Sequence, residues 1–183
     1  MKDKKYFWIA IGLLVIAAFA RFVPHIWNFT PVAAIALFSG AYFKNKIWAF
    51  ILPVLCLFGG DMILQSQYWM GNADYPAFFA GTWAIYACLL LIVGIGLTLK
   101  DRISPLNVLG GAVAGSLVFF FITNFVAWAT DYQTYPVKTV GTLVEAYIAG
   151  IPFYRGTFIG DLFYSGLLFG SFEFVKRRLP SVA

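Results

Sequence analysis

Apolar runs separated by short polar breaks make up this chain, and its basic residues cluster in alternate breaks. Of the 13 Lys and Arg residues, ten (Lys2, Lys4, Lys5, Lys44, Lys46, Lys100, Arg102, Lys176, Arg177 and Arg178) lie at the two ends and in two short turns. Only Arg21, Lys138 and Arg155 fall in the intervening breaks. Basic residues beside membrane spans are retained on the cytoplasmic face. The pattern therefore predicts six transmembrane helices with both termini cytoplasmic. Most acidic and unusual polar residues then gather at the outer face, where a site is to be sought.

Composition agrees with lipid as the solvent. The chain is 61% hydrophobic and 11% charged, with a mean hydropathy of +0.81, more apolar surface than one soluble core of this length can hide. One all-α transmembrane domain, 1–183, accounts for the length, with no nucleotide-binding loop. The net charge of +5 follows from the cytoplasmic bias of Lys and Arg. Nucleic acid is not an expected partner, because no basic stripe with interleaved aromatics exists. Cys56 and Cys88 lie inside apolar runs without metal-ligand spacing, so neither a disulfide framework nor a metal site is expected. No cofactor is expected either. The basic start, the apolar run from Tyr6 and Ala18-Phe19-Ala20 imitate a cleavable secretory signal. Arg21 directly after that site, and the odd number of spans that cleavage would leave, favour an uncleaved first span.

The spans read as Tyr6 to Arg21, Pro31 to Phe43, Ile47 to Leu64, Ala77 to Leu99, Leu106 to Thr130 and Gly156 to Val175. Thr30 suits an N-cap and Pro31 the first helical position of the short second span. Pro53 is expected to kink the third span. Gly110, Gly111, Ala112, Ala114, Gly115 and Ser116 provide small-residue pairs for close helix contact in the fifth. Lys138 to Gly150 reads as a short amphipathic helix lying at the outer interface, with Val140, Leu143, Val144, Tyr147 and Ile148 on one face. No solenoid or inverted repeat is visible.

An ionisable side chain at bilayer depth costs about 2.5 kcal/mol or more, so each needs a partner or a purpose. Asp61 follows Gly59-Gly60 near the outer end of the third span. It is either a helix-end carboxylate reaching interfacial water or a ligand contact. Asp161, Tyr164, Ser165 and Leu168 form a stripe on the sixth span that serves helix packing or a ligand. Arg155, six residues before Asp161, is not its helical neighbour. Asn124, Trp128 and Asp131 share a face of the fifth span, as the wall of an outward cavity or, for Asn124, as helix glue. His25 and Asn28 lie in the first outer loop; a lone loop His is ordinarily solvated.

Aromatic residues make up 20% of the chain, more on the outer half than an interfacial belt requires. The surplus predicts a pocket walled by Trp69, Trp83, Trp128 and Tyr164, with Asp61, Asn124, Arg155 and Asp161 as polar anchors. Its ligand would be a planar, largely apolar small molecule bearing hydrogen-bond donors. Phe119 is expected on the opposite helix face, away from this pocket.

Six short spans with an outer polar and aromatic mouth resemble the substrate-binding S subunits of energy-coupling-factor vitamin transporters. Arg21-Phe22-Val23-Pro24-His25, Asn28-Phe29-Thr30-Pro31-Val32, Gly59-Gly60-Asp61, Thr123-Asn124-Phe125, Ile151-Pro152-Phe153 and Gly160-Asp161 look like a bacterial branch of that S-subunit-like group. This branch brings no substrate with it. The resemblance implies a multi-pass protein of the bacterial cytoplasmic (inner) membrane that captures a vitamin-like micronutrient without its own energy source. It also implies docking on a coupling transmembrane subunit with two ATPases. The chain departs from the group's Ala-xxx-Ala on the first helix, where Ala10 is followed by Leu14. Ala36-xxx-Gly40 is a candidate substitute, and a solitary transporter is the alternative. A corrinoid-type ligand could use Cys56, although a buried structural Cys is the plainer reading. A proton- or ion-coupled carrier, or an intramembrane enzyme using Asp61 and Asp161 as acid and base, are the competing functions; binding without turnover is the expectation.

Overall fold

The computed structural model describes residues 4–23 and 28–179, and among them there are helices, turns and no strands. The helices are α1 (Lys4–Phe19) with a 3-10 turn (Ala20–Phe22), α2 (Val32–Tyr42), α3 (Lys46–Trp69), α4 (Thr82–Leu99), α5 (Pro105–Thr130) and α6 (Val140–Arg178). All except α2 are long and apolar enough to cross a membrane, with α1 counted together with its 3-10 turn. They run alternately between an end carrying Lys44, Lys100 and Arg178 (the basic end) and an opposite, loop-rich end.

The second predicted span has a different character. Its 11 residues reach only about 17 Å at about 1.5 Å per residue, against a hydrocarbon core of about 30 Å. Every residue from Ala33 to Tyr42 is buried, so α2 is an internal pillar surrounded by the others. Small side chains make this possible. A Cβ on Gly40 would lie 2.2 Å from the Val93 carbonyl oxygen, and one on Gly96 would lie 2.3 Å from that of Leu37. These two glycines let α2 and α4 touch backbone to backbone, the close van der Waals approach that lipid-embedded helices need. The helix starts without the expected cap: Pro31 occupies the N-cap position and no side-chain hydrogen bond is made there.

On α5, Gly111, Ala112, Gly115 and Ser116 face the core as the small-residue pattern predicts, whereas Gly110 is exposed with open space around its Cβ position. Toward the basic end, Phe38, Tyr42, Phe169 and Phe172 interlock, with ring centroids 4.5 to 5.4 Å apart. Tyr42 donates to Glu173 Oε1 at 2.7 Å, and Lys176 closes an ion pair on the same oxygen at 2.8 Å.

The predicted interfacial helix over Lys138 to Gly150 is not a separate element. Thr139 and Thr142 form a capping box, and from Val140 one helix of 39 residues runs through Pro152 to Arg178. Its first half stands against α5 instead of lying flat. Trp128 Nε1 donates to Thr142 Oγ1 at 3.0 Å, and Tyr147 donates to the Phe121 carbonyl at 3.1 Å. Gly150 then lets the Asn124 side chain lie against the α6 backbone, since a Cβ there would overlap the Asn124 amide oxygen at 2.2 Å. Val140, Val144 and Ile148 of the predicted apolar face are on the outside of the bundle. The helix turns its small residues, Ala146 and Gly150, inward.

Candidate functional site

Arg21 and Asp61 organise the loop end. Arg21 Nη2 pairs with Asp61 Oδ1 at 2.8 Å, Arg21 Nη1 donates to the Leu57 carbonyl at 3.3 Å, and the Tyr86 hydroxyl donates to Asp61 Oδ2 at 2.8 Å. Gly60 makes room, because a Cβ there would lie 2.8 Å from Arg21 Nη1. Two charges taken out of water are tolerated only when paired and hydrogen-bonded in this way. Asp61 is therefore half of a buried clamp joining the 3-10 turn after α1 to α3 and α4, and its carboxylate is engaged on both oxygens. One turn on, Gln65 is buried and accepts from the Phe78 N–H at 3.1 Å, tying the 70–81 loop to α3.

Asp161 is the opposite case. It is 2% exposed, and its Oδ2 has no hydrogen-bond partner. It lines a cavity of about 260 Å³ together with Asp61, Arg21, Asn28, Thr30 and Thr157. A second cavity of about 600 Å³ lies between the loop-end portions of α4, α5 and α6, with Asn124, Phe120, Tyr154 and Asp131 on its walls. The two share Asn28, Phe79, Ile85, Phe119 and Thr157, so they form one cleft with a waist. Small-molecule sites ordinarily measure roughly 300–1,000 Å³ with few polar groups on apolar walls.

The loop before α2 shapes this waist. Asn28 has a φ of 60°, the left-handed region that an Asn adopts more readily than bulkier residues. Its carbonyl accepts from the Thr30 N–H at 2.9 Å. The Phe29–Thr30 backbone rests on α6 at Gly160, where a Cβ would lie 3.2 Å from both Phe29 Cα and Thr30 N. Gly160 thus holds the Asn28 turn beside Asp161.

Of the residues predicted for the site, Asp61, Asp161, Asn124 and Asn28 come together at this cleft. Asn124 also serves the helix contact, its amide donating to the Phe120 carbonyl at 2.8 Å. The tryptophan wall is overturned. Trp69 and Trp83 are 70% and 61% exposed, on the outside of the bundle. Trp128 is engaged with Thr142 and with the Lys138 ammonium, 5.5 Å from its ring centroid, and lines neither cavity. Tyr164 is buried against Phe29 and Phe163, with ring centroids at 5.3 and 5.1 Å, and also lines neither. Arg155 is exposed and stands apart from both cavities. His25 lies outside the described residues. The aromatic wall consists of Phe79, Phe119, Phe120, Phe153 and Tyr154 instead. Phe119 is the reverse of its expectation, since it lines both cavities.

Sequence reasoning also missed Arg21 and Tyr86 as the partners of Asp61. The need for a partner was readable from the cost of a lone carboxylate, but its identity was not. At the rim, Asp131 caps its own turn, accepting from the Gln133 and Thr134 N–H groups at 2.9 Å each. The Thr134 hydroxyl, together with these N–H groups, holds its carboxyl below the usual range. No group of three or more potential metal ligands exists among the described residues. Cys56 and Cys88 are free thiols, Cys88 buried and Cys56 half-buried, and neither lines the cleft.

The described residues form an all-helical bundle with five helices long and apolar enough to cross a membrane and a partly open polar recess between them at one end. The chain belongs to the DUF6580 family, a family of unknown function, which matches residues 1–182. No curated protein and no solved structure matches it.

Proposed function

We propose that this protein binds a small, partly planar nutrient in the loop-end cleft as the capture step of uptake across a bacterial cytoplasmic membrane. In this reading the chain crosses the bilayer six times with both termini cytoplasmic, α2 and its flanking loops completing the second crossing. The cleft then faces outward. The observation that carries the reading is Asp161, a buried carboxyl with one unpartnered oxygen, on the lining of a cleft with phenylalanine walls. A polar group left open at such depth is expensive unless something binds it.

The analogy with S subunits adds a coupling subunit with ATPases as partner. Ala36 and Gly40 cannot serve as its docking surface, because both are buried inside the bundle. The exposed apolar face of α1, with Trp8, Val15, Ile16 and Phe19, supports docking through that helix. A second reading, an ion- or proton-coupled carrier working alone, is favoured by the same open carboxyl. The acid/base enzyme reading finds no support in the geometry, because both Asp61 oxygens are engaged.

Native mass spectrometry of the detergent-purified protein tests the proposal. One small molecule should leave with the protein at a ratio of one per chain. Ile85→Trp, which fills the waist of the cleft, should lose it while keeping the melting temperature of the ligand-free wild type. Uptake driven by a pH gradient in vesicles holding this protein alone would replace the binding reading by the carrier one.

A further inference from the structure

The charges facing the cleft are unequal. Asp61, Asp161 and Asp131 line it, and among the described residues Arg21 is the one basic side chain that does. Arg21 is already spent on Asp61 and the Leu57 carbonyl. Lys138, near the rim, turns its ammonium onto the carbonyl oxygens of Trp128 and Asp131 and over the Tyr132 ring, lining neither cavity. What remains in the interior is Asp161. Thr157 lies one turn before it on the same helix face, and Asn28 shares that cavity.

We propose that the cleft selects a small organic cation, an ammonium group carried on a planar apolar body and seated at Asp161. The inference rests on the ligand-binding reading above and names the ligand's chemistry. An ammonium brings up to three donors, and the Asp161 carboxyl, the Thr157 hydroxyl and the Asn28 amide supply acceptors. An anion would meet Asp161 without a free cation to offset it, since Arg21 is committed. A neutral donor would offer the buried carboxyl a hydrogen bond alone, whereas an ammonium also stabilises its ionised form, which burial without a partner otherwise disfavours. Phe79 and Phe119, which line both cavities, are the aromatic rings within reach of both the cation and its planar body. The larger cavity takes the remainder of the molecule.

The test uses the purified full chain in detergent and three matched probe series, read by calorimetric titration and thermal shift. The cations are benzylammonium and 2-naphthylmethylammonium; the neutral arm is benzyl alcohol and 2-naphthylmethanol; the anions are benzoate and 2-naphthoate. Each cation should bind about tenfold or more tighter than the alcohol of its skeleton, and the carboxylates should not bind. Asp161→Asn should reduce that preference to about twofold or less, whereas Asp161→Glu should keep it. Asp101→Asn, on the exposed loop at the basic end, should leave it unchanged. Should Asp161→Asn not survive purification, carbodiimide labelling of Asp161 in the wild type, read by peptide mass spectrometry, should be slowed by the cations and not by the alcohols. Alcohols or carboxylates binding as well as the cations, a preference that survives Asp161→Asn, or labelling indifferent to the cations would overturn the cation inference and leave a binding cleft standing. Silence in all three series would overturn both readings.

Discussion

Single residues in this protein act as halves of contacts. Arg21 and Asp61 are 14% and 8% exposed at their side chains and lie 2.8 Å apart. Removing either leaves the other charge buried and alone. Arg21→Ala and Asp61→Ala should each cost about 3–5 kcal/mol of stability, whereas the double variant should lose much less than the sum. Thermal unfolding of the four proteins in one detergent gives the coupling directly; additive losses would mean that the pair is solvated. Gly60→Ala should destabilise by the same route, by pushing on the guanidinium. Asp131 gives a pH signature of a different sign from that of a lysine or histidine pair. Its carboxyl is held below 3.8, so its contribution to the 131–134 turn is complete above that value and is lost as pH falls through the lower, folded one. Protection of the Gln133 and Thr134 amides from hydrogen exchange, taken relative to the free-peptide rate at each pH, should fall over that acid range in the wild type and already be low at neutral pH in Asp131→Ala.

At the scale of helices, small residues decide which surfaces meet. Gly94 and Gly96 are two positions apart on α4, yet only Gly96 touches a neighbouring helix. An alanine in an exposed helix interior gains about 0.8–1 kcal/mol over glycine. Gly94→Ala should therefore leave the melting temperature unchanged or raise it. Gly96→Ala forces the Leu37 backbone away and should lose roughly 1–3 kcal/mol, as overpacked cores do. Equal melting temperatures for the two variants would mean that α2 and α4 do not cross at Gly40 and Gly96. The same logic explains why α6 continues where its sequence suggested a break. Pro152 removes one N–H from the helix, but its neighbourhood is held from outside by Asn124 over Gly150 and by the Tyr154 hydroxyl 3.3 Å from Ser116 Oγ. Intrinsic helix preference is a weak prior once packing of this kind is available.

For the whole molecule, the motifs that stood out in the sequence turn out to be mutual contacts at one end of the bundle. Arg21 meets Gly60-Asp61, Asn28-Phe29-Thr30 rests on Gly160 beside Asp161, and Asn124 lies on Gly150 two residues before Pro152. These contacts gather segments more than a hundred residues apart around the cleft. The orientation in the bilayer can be tested separately from the site. A reporter after Ala183 should be cytoplasmic, and reporters inserted near Gly71 and Gln133 should be external, because ten of 13 basic residues lie at the other end. An external reporter at Ala183 would reverse the proposed outward cleft.

Sequence by itself determined the helical class, the presence of helices apolar enough for a membrane and most of the places where the chain turns, the break expected after Gly150 excepted. Hydropathy and the spacing of charged residues are summed along the chain and need no knowledge of neighbours. It also marked Asp61, Asn124 and Asp161 as residues needing a reason, because the cost of a polar group in hydrocarbon is a property of the group. Only tertiary structure decided what each reason was. Asp61 received an arginine from 40 positions away, Asn124 received a glycine, and Asp161 received no partner for its Oδ2. The tryptophans failed as a pocket wall for a related reason: an aromatic ring is equally at home in a belt, a helix contact or a binding site. Which face of its helix turns inward depends on the small residues opposite, and those belong to other helices.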